Sequence, residues 1–185
     1  MTMFETTRAD IARMYELSGS PRAVSILGVL KGLCNPRLCP AILIRAGYWL
    51  AQHRLGVLAR FVSVINLVLF SIEVSARIPI GAGLFLPHTS DTVIGAASIG
   101  RNVTIFQGVT LGAKELDMNF IPASRPVIED DVIIGAGAKV LGGVRIGRGA
   151  RIGANAVVLI DVPPGAVAVG VPAQIVNSSV ASASR

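Results

Sequence analysis

The feature that most constrains this chain is an aliphatic residue at every sixth position of its second half. The series runs Ile128, Ile134, Val140, Ile146, Ile152 and Val158. Neither an α-helix nor an alternating strand has a period of six. A six-residue repeat is typical of parallel β-helices, in which three hexads close one triangular coil. We therefore predict that each inward aliphatic residue stacks on its counterpart three hexads later.

The same register occurs earlier in the chain, in two blocks. These residues are Ile72, Ile78 and Leu84, then Ile99, Ile105 and Leu111. Between the blocks the register slips, because Ile94 and Ile99 are only five positions apart. We predict a mainly β protein with three parts: an N-terminal α-helical subdomain over 1–71, a parallel β-helix over 72–176 and a flexible tail over 177–185. Since one coil cannot bury its own apolar face, the helical part is expected to cap the stack.

The charge of the chain indicates an anionic partner. A net charge of +6 and a pI near 10.2 fit nucleic acid, a membrane surface or a phosphorylated cofactor. No basic run with interleaved aromatic residues is present, which argues against nucleic acid. The longest uncharged run of the aliphatic stretch 41–72 is Phe61 to Ile72, well short of the roughly 20 residues that span a bilayer. A packed helical subdomain is favoured there, with a basic helix on the inner membrane surface as the alternative. The N-terminus carries no secretory signal, which predicts a cytoplasmic location.

Several motifs between Ile72 and Val176 resemble those of a known family. They are Phe70-Ser71-Ile72-Glu73-Val74, Leu86-Pro87-His88-Thr89, Phe106-Gln107-Gly108-Val109-Thr110-Leu111-Gly112, Ile134-Gly135-Ala136-Gly137-Ala138-Lys139 and Gly170-Val171-Pro172-Ala173-Gln174-Ile175-Val176. Together they resemble the serine acetyltransferase family of hexapeptide-repeat acyltransferases, including its short members associated with exopolysaccharide synthesis. The resemblance implies a left-handed β-helix, a homotrimer with active sites between subunits, and acetyl transfer from acetyl-CoA to a hydroxyl. Handedness is taken from the resemblance, since the general rule favours right-handed crossovers.

The resemblance also implies the catalytic residues. The family's catalytic histidine falls on His88, and its aspartate partner falls on Glu73; Asp91 is a competing partner. A hydroxyl attacks a thioester poorly unless a base removes its proton, and an imidazole with a pKa of about 6.5 suits that task. A carboxylate on the far ring nitrogen would fix the tautomer. Positions 73 and 88 are almost one coil apart, so we expect them to meet at one corner.

Acetyl-CoA in this family lies along an edge of the β-helix and is held largely by backbone amides. The resemblance places small residues for its arm at Gly112, Ala113, Ala136 and Ala154, and places Lys139 and Arg151 near its phosphates. Alternatively, these glycines and alanines merely form turns. No metal is expected, because a zinc enzyme of the carbonic anhydrase type needs three histidines and the chain has 2.

The acceptor site departs from the family's pattern. Pro87 replaces an acidic residue, Ser124-Arg125-Pro126 replaces Arg-His-Pro, and the loop from Ala113 to Val127 is longer. These changes favour a sugar hydroxyl of an exopolysaccharide as acceptor. Serine acetylation in cysteine biosynthesis is the alternative, and a non-catalytic β-helix scaffold is a rival of another class.

Overall fold

The structure is a computed structural model that describes residues 2–20, 24–32 and 35–176. The predicted tail, 177–185, lies outside the described residues. The helices of the described part are α1 (Met3–Leu17), α2 (Ile26–Gly32), α3 (Cys39–Gln52) and α4 (Gly56–Phe70), with a short 3-10 helix at Pro122–Ser124. A capping box begins α1: the Thr2 side chain accepts from the Glu5 N–H, and the Glu5 carboxylate accepts from the Thr2 N–H.

Short strands follow the helices. In chain order they are β1 (Ile72–Val74), β2 (Thr92–Ile94), β3 (Ser98–Ile99), β4 (Thr104–Ile105), β5 (Thr110–Gly112), β6 (Val127–Ile128), β7 (Ile133–Ile134), β8 (Lys139–Leu141), β9 (Arg145–Ile146), β10 (Arg151–Ile152), β11 (Val157–Val158), β12 (Val167–Gly170) and β13 (Ala173–Val176). They form three sheets, which we call face A (β1-β2-β5-β8-β11), face B (β3-β6-β9) and face C (β4-β7-β10-β12-β13). Because the chain visits the faces in turn and pairs in parallel, it winds into a parallel β-helix. This β-helix is left-handed, and the predicted mainly β fold with N-terminal helices is confirmed.

The stacking of the lower coils follows the hexad pattern. Ile128 pairs with Ile146, Ile134 with Ile152, and Val140 with Val158. Each pair is three hexads apart, as predicted, and these inward side chains are at most 3% exposed. The upper coils have a different number of residues per coil. Ile105 stacks on Ile134, because the loop 113–126 projects out of the β-helix and leaves the pairing of the strands on either side unchanged.

The lower end of face C is closed by a hairpin. β13 pairs with β12 in antiparallel fashion, with Gly170 opposite Ala173. All other strand pairs among the described residues are parallel. The antiparallel return had no signal in the hexad pattern.

The upper end is joined to the helices by a buried ion pair. Asp10 on α1 and Arg45 on α3 are 1% and 6% exposed, and their two hydrogen bonds measure 2.8 and 2.9 Å. The Asp10 carboxylate also accepts from the N–H groups of Gly83 and Leu84, at 2.8 and 2.9 Å. Burial raises the pKa of Asp10, while the guanidinium and these N–H groups oppose the rise. The helical region is therefore fixed to the first coil by charge-assisted hydrogen bonds.

Candidate active site

The candidate site lies where the chain turns from face C to face A, which we call the C–A corner. Its turns stack layer on layer through backbone hydrogen bonds. Gly108 N–H donates to Ser90 O at 2.9 Å, Gly137 N–H to Gln107 O at 2.9 Å, and the N–H of residue 155 to the carbonyl of 136 at 2.8 Å. The layers are therefore spaced like strands, about 4.8 Å apart.

His88 occupies the uppermost turn of this corner. The flanking pairs are Phe85 with Thr104 and Val93 with Thr110, so the His88 turn has two residues more than the turn below it. The extra residues make the turn bulge, and His88 is exposed. Among the described residues its imidazole has no hydrogen-bond partner. Both ring nitrogens are thus available to a substrate and to an orienting carboxylate.

The two candidate orienting carboxylates lie close to this turn in the fold. Glu73 projects outward from β1, between the buried Ile72 and Val74, and pairs with Val93 of β2. Asp91 lies three residues after His88 and is exposed. Among the described residues neither carboxylate forms an ion pair or hydrogen bond with the imidazole, so the choice between them stays a prediction.

One backbone N–H per layer is unpaired below His88. The N–H groups of Gln107, Ala136 and Ala154 have no hydrogen-bond partner among the described residues. They follow one another down the C–A corner at the layer spacing. Ala136 and Ala154 are also residues predicted to line the acetyl-CoA arm. The amide carbonyls of that arm are suitable acceptors for these N–H groups.

The glycines of the repeat separate into two kinds. A Cβ at Gly137, which has a φ of +73°, would lie 2.1 Å from a neighbouring side-chain oxygen, so both the backbone conformation and this neighbour disfavour a side chain there. A Cβ at Gly112 would meet nothing within 4 Å. The fold therefore does not demand glycine at 112, so the turn interpretation does not account for this residue.

The remaining predicted cofactor residues are spread over the surface. The Lys139 ammonium donates to Gly108 O at 2.5 Å, which places it at the C–A corner. Arg151 is exposed on face C. Gly112 and Ala113 lie at the opposite edge of face A, where the loop begins. The structure thus brings His88, the two alanines and Lys139 to one corner and leaves the other three outside it.

The loop 113–126 is held by an ion pair that sequence reasoning missed. Arg125 Nε donates to Asp117 at 2.9 Å, Arg125 Nη1 donates to Gly95 O at 3.0 Å, and the guanidinium lies 4.0 Å from the Phe120 ring centre. Burial raises the pKa of Asp117, but the Ile121 N–H and Arg125 outweigh it and hold the pKa below 3.8. Two oppositely charged residues eight positions apart in a loop give no local signal of pairing.

In the described part of the chain, no three His, Cys, Asp or Glu side chains are grouped so as to hold a metal ion.

Comparison with known proteins gives consistent similarities. The family described as "Bacterial transferase hexapeptide (six repeats)" matches residues 125–159. The chain is 40% identical over 179 residues to a serine acetyltransferase of Mycobacterium tuberculosis, covering 96% of this chain and 75% of that protein. It is 38% identical over 178 residues to a serine acetyltransferase of Synechococcus elongatus, covering 96% and 70%.

Solved structures show the same similarity. A serine acetyltransferase in complex with CoA matches with a TM-score of 0.80 and 30% identity, covering 94% of this chain and 69% of that one. The Neisseria gonorrhoeae serine acetyltransferase in complex with serine matches with a TM-score of 0.78 and 32% identity, covering 95% and 69%.

Proposed function

The chain belongs to the serine acetyltransferase family and is an acetyl-CoA-dependent O-acetyltransferase, and from this premise we propose that it acetylates the hydroxyl of L-serine. The named relatives and the serine-bound structure support serine over the sugar acceptor that the sequence favoured. The observation that carries the enzymatic part of the proposal is the exposed His88 above a column of free N–H groups, whereas the choice of serine rests on the relatives. A non-catalytic scaffold is set aside, because the relatives are enzymes.

His88 is proposed as the general base. Its imidazole takes the proton of the serine hydroxyl as the oxygen attacks the thioester carbonyl, and returns it to the departing CoA thiolate. Glu73 or Asp91 would stabilise the imidazolium. The other histidine is unsuited, because His53 Nδ1 contacts Trp49 O at 2.8 Å and its ring lies 4.1 Å from the Trp49 ring.

The acyl donor is proposed to lie along the C–A corner. The N–H groups of Gln107, Ala136 and Ala154 would donate to the amide carbonyls of its arm. Lys139 at the corner, and Arg151 from the adjoining face C, would lie nearer its phosphates. Because the corner is an open edge of one subunit, we propose that a homotrimer supplies the opposite wall of each site.

A second acceptor is supported by one observation. Arg125 is committed to Asp117 and Gly95, so its guanidinium is not free to bind the carboxylate of serine. A neutral sugar hydroxyl of an exopolysaccharide has no such requirement. Either acceptor is compatible with the proposed cytoplasmic location and with peripheral membrane contact through the basic N-terminal region.

The test is release of CoA thiol from acetyl-CoA with L-serine or with deacetylated exopolysaccharide. His88→Ala should lower the rate by roughly 10²–10⁴-fold, whereas the control His53→Ala should retain it. Release with serine supports the first proposal, and release with glycan alone supports the second. Equal rates for His88→Ala and the wild type would remove His88 from the mechanism.

A further inference from the structure

The net charge of the chain comes from one span. Six of the 17 basic residues and none of the 11 acidic residues lie between Leu17 and Ile72. The other basic residues equal the acidic residues in number, so the rest of the chain is neutral. An anionic partner is therefore expected to meet this span.

Helix α4, within that span, presents an apolar stripe to solvent. Val57, Phe61, Val64 and Val68 are 82%, 63%, 52% and 73% exposed, and their spacing places them on one side of the helix. The 15 residues of α4 extend about 22 Å. A continuous exposed apolar surface of this kind is typical of an interaction site.

A groove of about 870 Å³ adjoins the stripe. Its walls include Val57 and Val64 from the stripe, Phe120 from the loop, and Arg60 and Arg77. No carboxylate lines it, and neither guanidinium forms an ion pair or hydrogen bond within the described residues. Two unpaired guanidinium groups beside apolar walls suit a phosphate attached to an apolar body.

We infer that this surface binds an anionic membrane lipid, with the headgroup phosphate between Arg60 and Arg77 and the α4 stripe against the acyl chains. The inference deepens the proposed peripheral membrane contact and is independent of the acceptor. A symmetric contact with a second copy through α4 is disfavoured, because it would bring Arg60 of both copies together in a span without carboxylates. No helix in the described residues is long and apolar enough to cross a membrane.

The test is flotation of the full chain with vesicles of phosphatidylcholine alone or of phosphatidylcholine and phosphatidylglycerol in equal amounts. We expect binding to the anionic vesicles only. The double variant R60Q/R77Q should weaken it roughly thirtyfold, since each basic residue near an anionic bilayer contributes about a fivefold factor. The control R101Q, which changes another exposed arginine, should bind like the wild type.

Four results would overturn the inference. Equal losses in R101Q and in the double variant would indicate a general charge effect. Binding of glycerol 3-phosphate by calorimetry without vesicle binding would indicate a soluble anion. Phe61→Ser binding vesicles like the wild type would remove the stripe from the site. A lower mass of Phe61→Ser in light scattering, without vesicle binding by the wild type, would assign α4 to a subunit contact. Thiol release by the wild type is measured separately, so failure of lipid binding is distinguishable from failure of the proposed function.

Discussion

Removal of the Arg45 guanidinium should undo the attachment of the helices to the β-helix. Arg45→Ala leaves the Asp10 carboxylate buried with only the two N–H groups as partners, and it also frees the carbonyls of Ile80 and Gly81, to which Arg45 donates at 2.5 and 2.6 Å. Breaking a buried ion pair from one side costs about 3–5 kcal/mol. For a chain of this size that corresponds to a melting temperature lower by roughly 6–20 °C.

The assay is thermal unfolding of the wild type, both single variants and Asp10→Ala/Arg45→Ala. Because the double variant leaves no unpaired buried charge, its loss should be smaller than the sum of the single losses by about 1–3 kcal/mol. Additive losses, or a change below about 1 kcal/mol in Arg45→Ala, would refute the reasoning from burial and pairing.

Three further predictions concern the coils and the loop. Gly112→Val should leave the melting temperature unchanged, because a Cβ there meets nothing within 4 Å, whereas Gly137→Ala should destabilise the fold by about 1–3 kcal/mol, because its φ is +73° and a Cβ there meets a side-chain oxygen. Equal melting temperatures for the two variants would contradict the distinction. Ile134→Ala, at a fully buried position, should cost about 2–5 kcal/mol in denaturant unfolding, and a loss below about 1 kcal/mol would argue against a packed coil interior. The folded pKa of Asp117 lies below its ordinary value of 3.8. The stability that the ionised Asp117 contributes is therefore complete above pH 3.8 and is lost as the pH falls through the folded pKa. Asp117→Asn should flatten this decline of stability in acid, and an unchanged pH profile would exclude a contribution from the pairing with Arg125.

The fold was largely predictable because every coil needs an inward aliphatic residue at the same positions. Ile128 and Ile146 occupy such positions three hexads apart, so their stacking could be predicted from the sequence. The pairing of Ile105 with Ile134 could not, since a loop adds residues without changing the register of the faces.

Parts of the candidate site could be predicted from residue type and from position in the repeat. His88 stands out by residue type, and Ala136 and Ala154 occupy equivalent turns of successive coils. The two ion pairs that shape the molecule had no such signal. Asp10 and Arg45 are 35 positions apart, and their contact depends on how two helices pack on the first coil.

The hairpin of β12 and β13 also limits how copies of the chain can assemble. A parallel β-helix with open ends offers unpaired strand edges on which another copy can add along the axis, and repetition of that contact gives a fibre. β13 runs against the direction of the coils, so an arriving copy cannot continue the parallel pairing on face C. The helices obstruct the opposite end. Growth along the axis is thereby disfavoured. A closed, finite assembly would instead use lateral contacts between the faces of neighbouring β-helices.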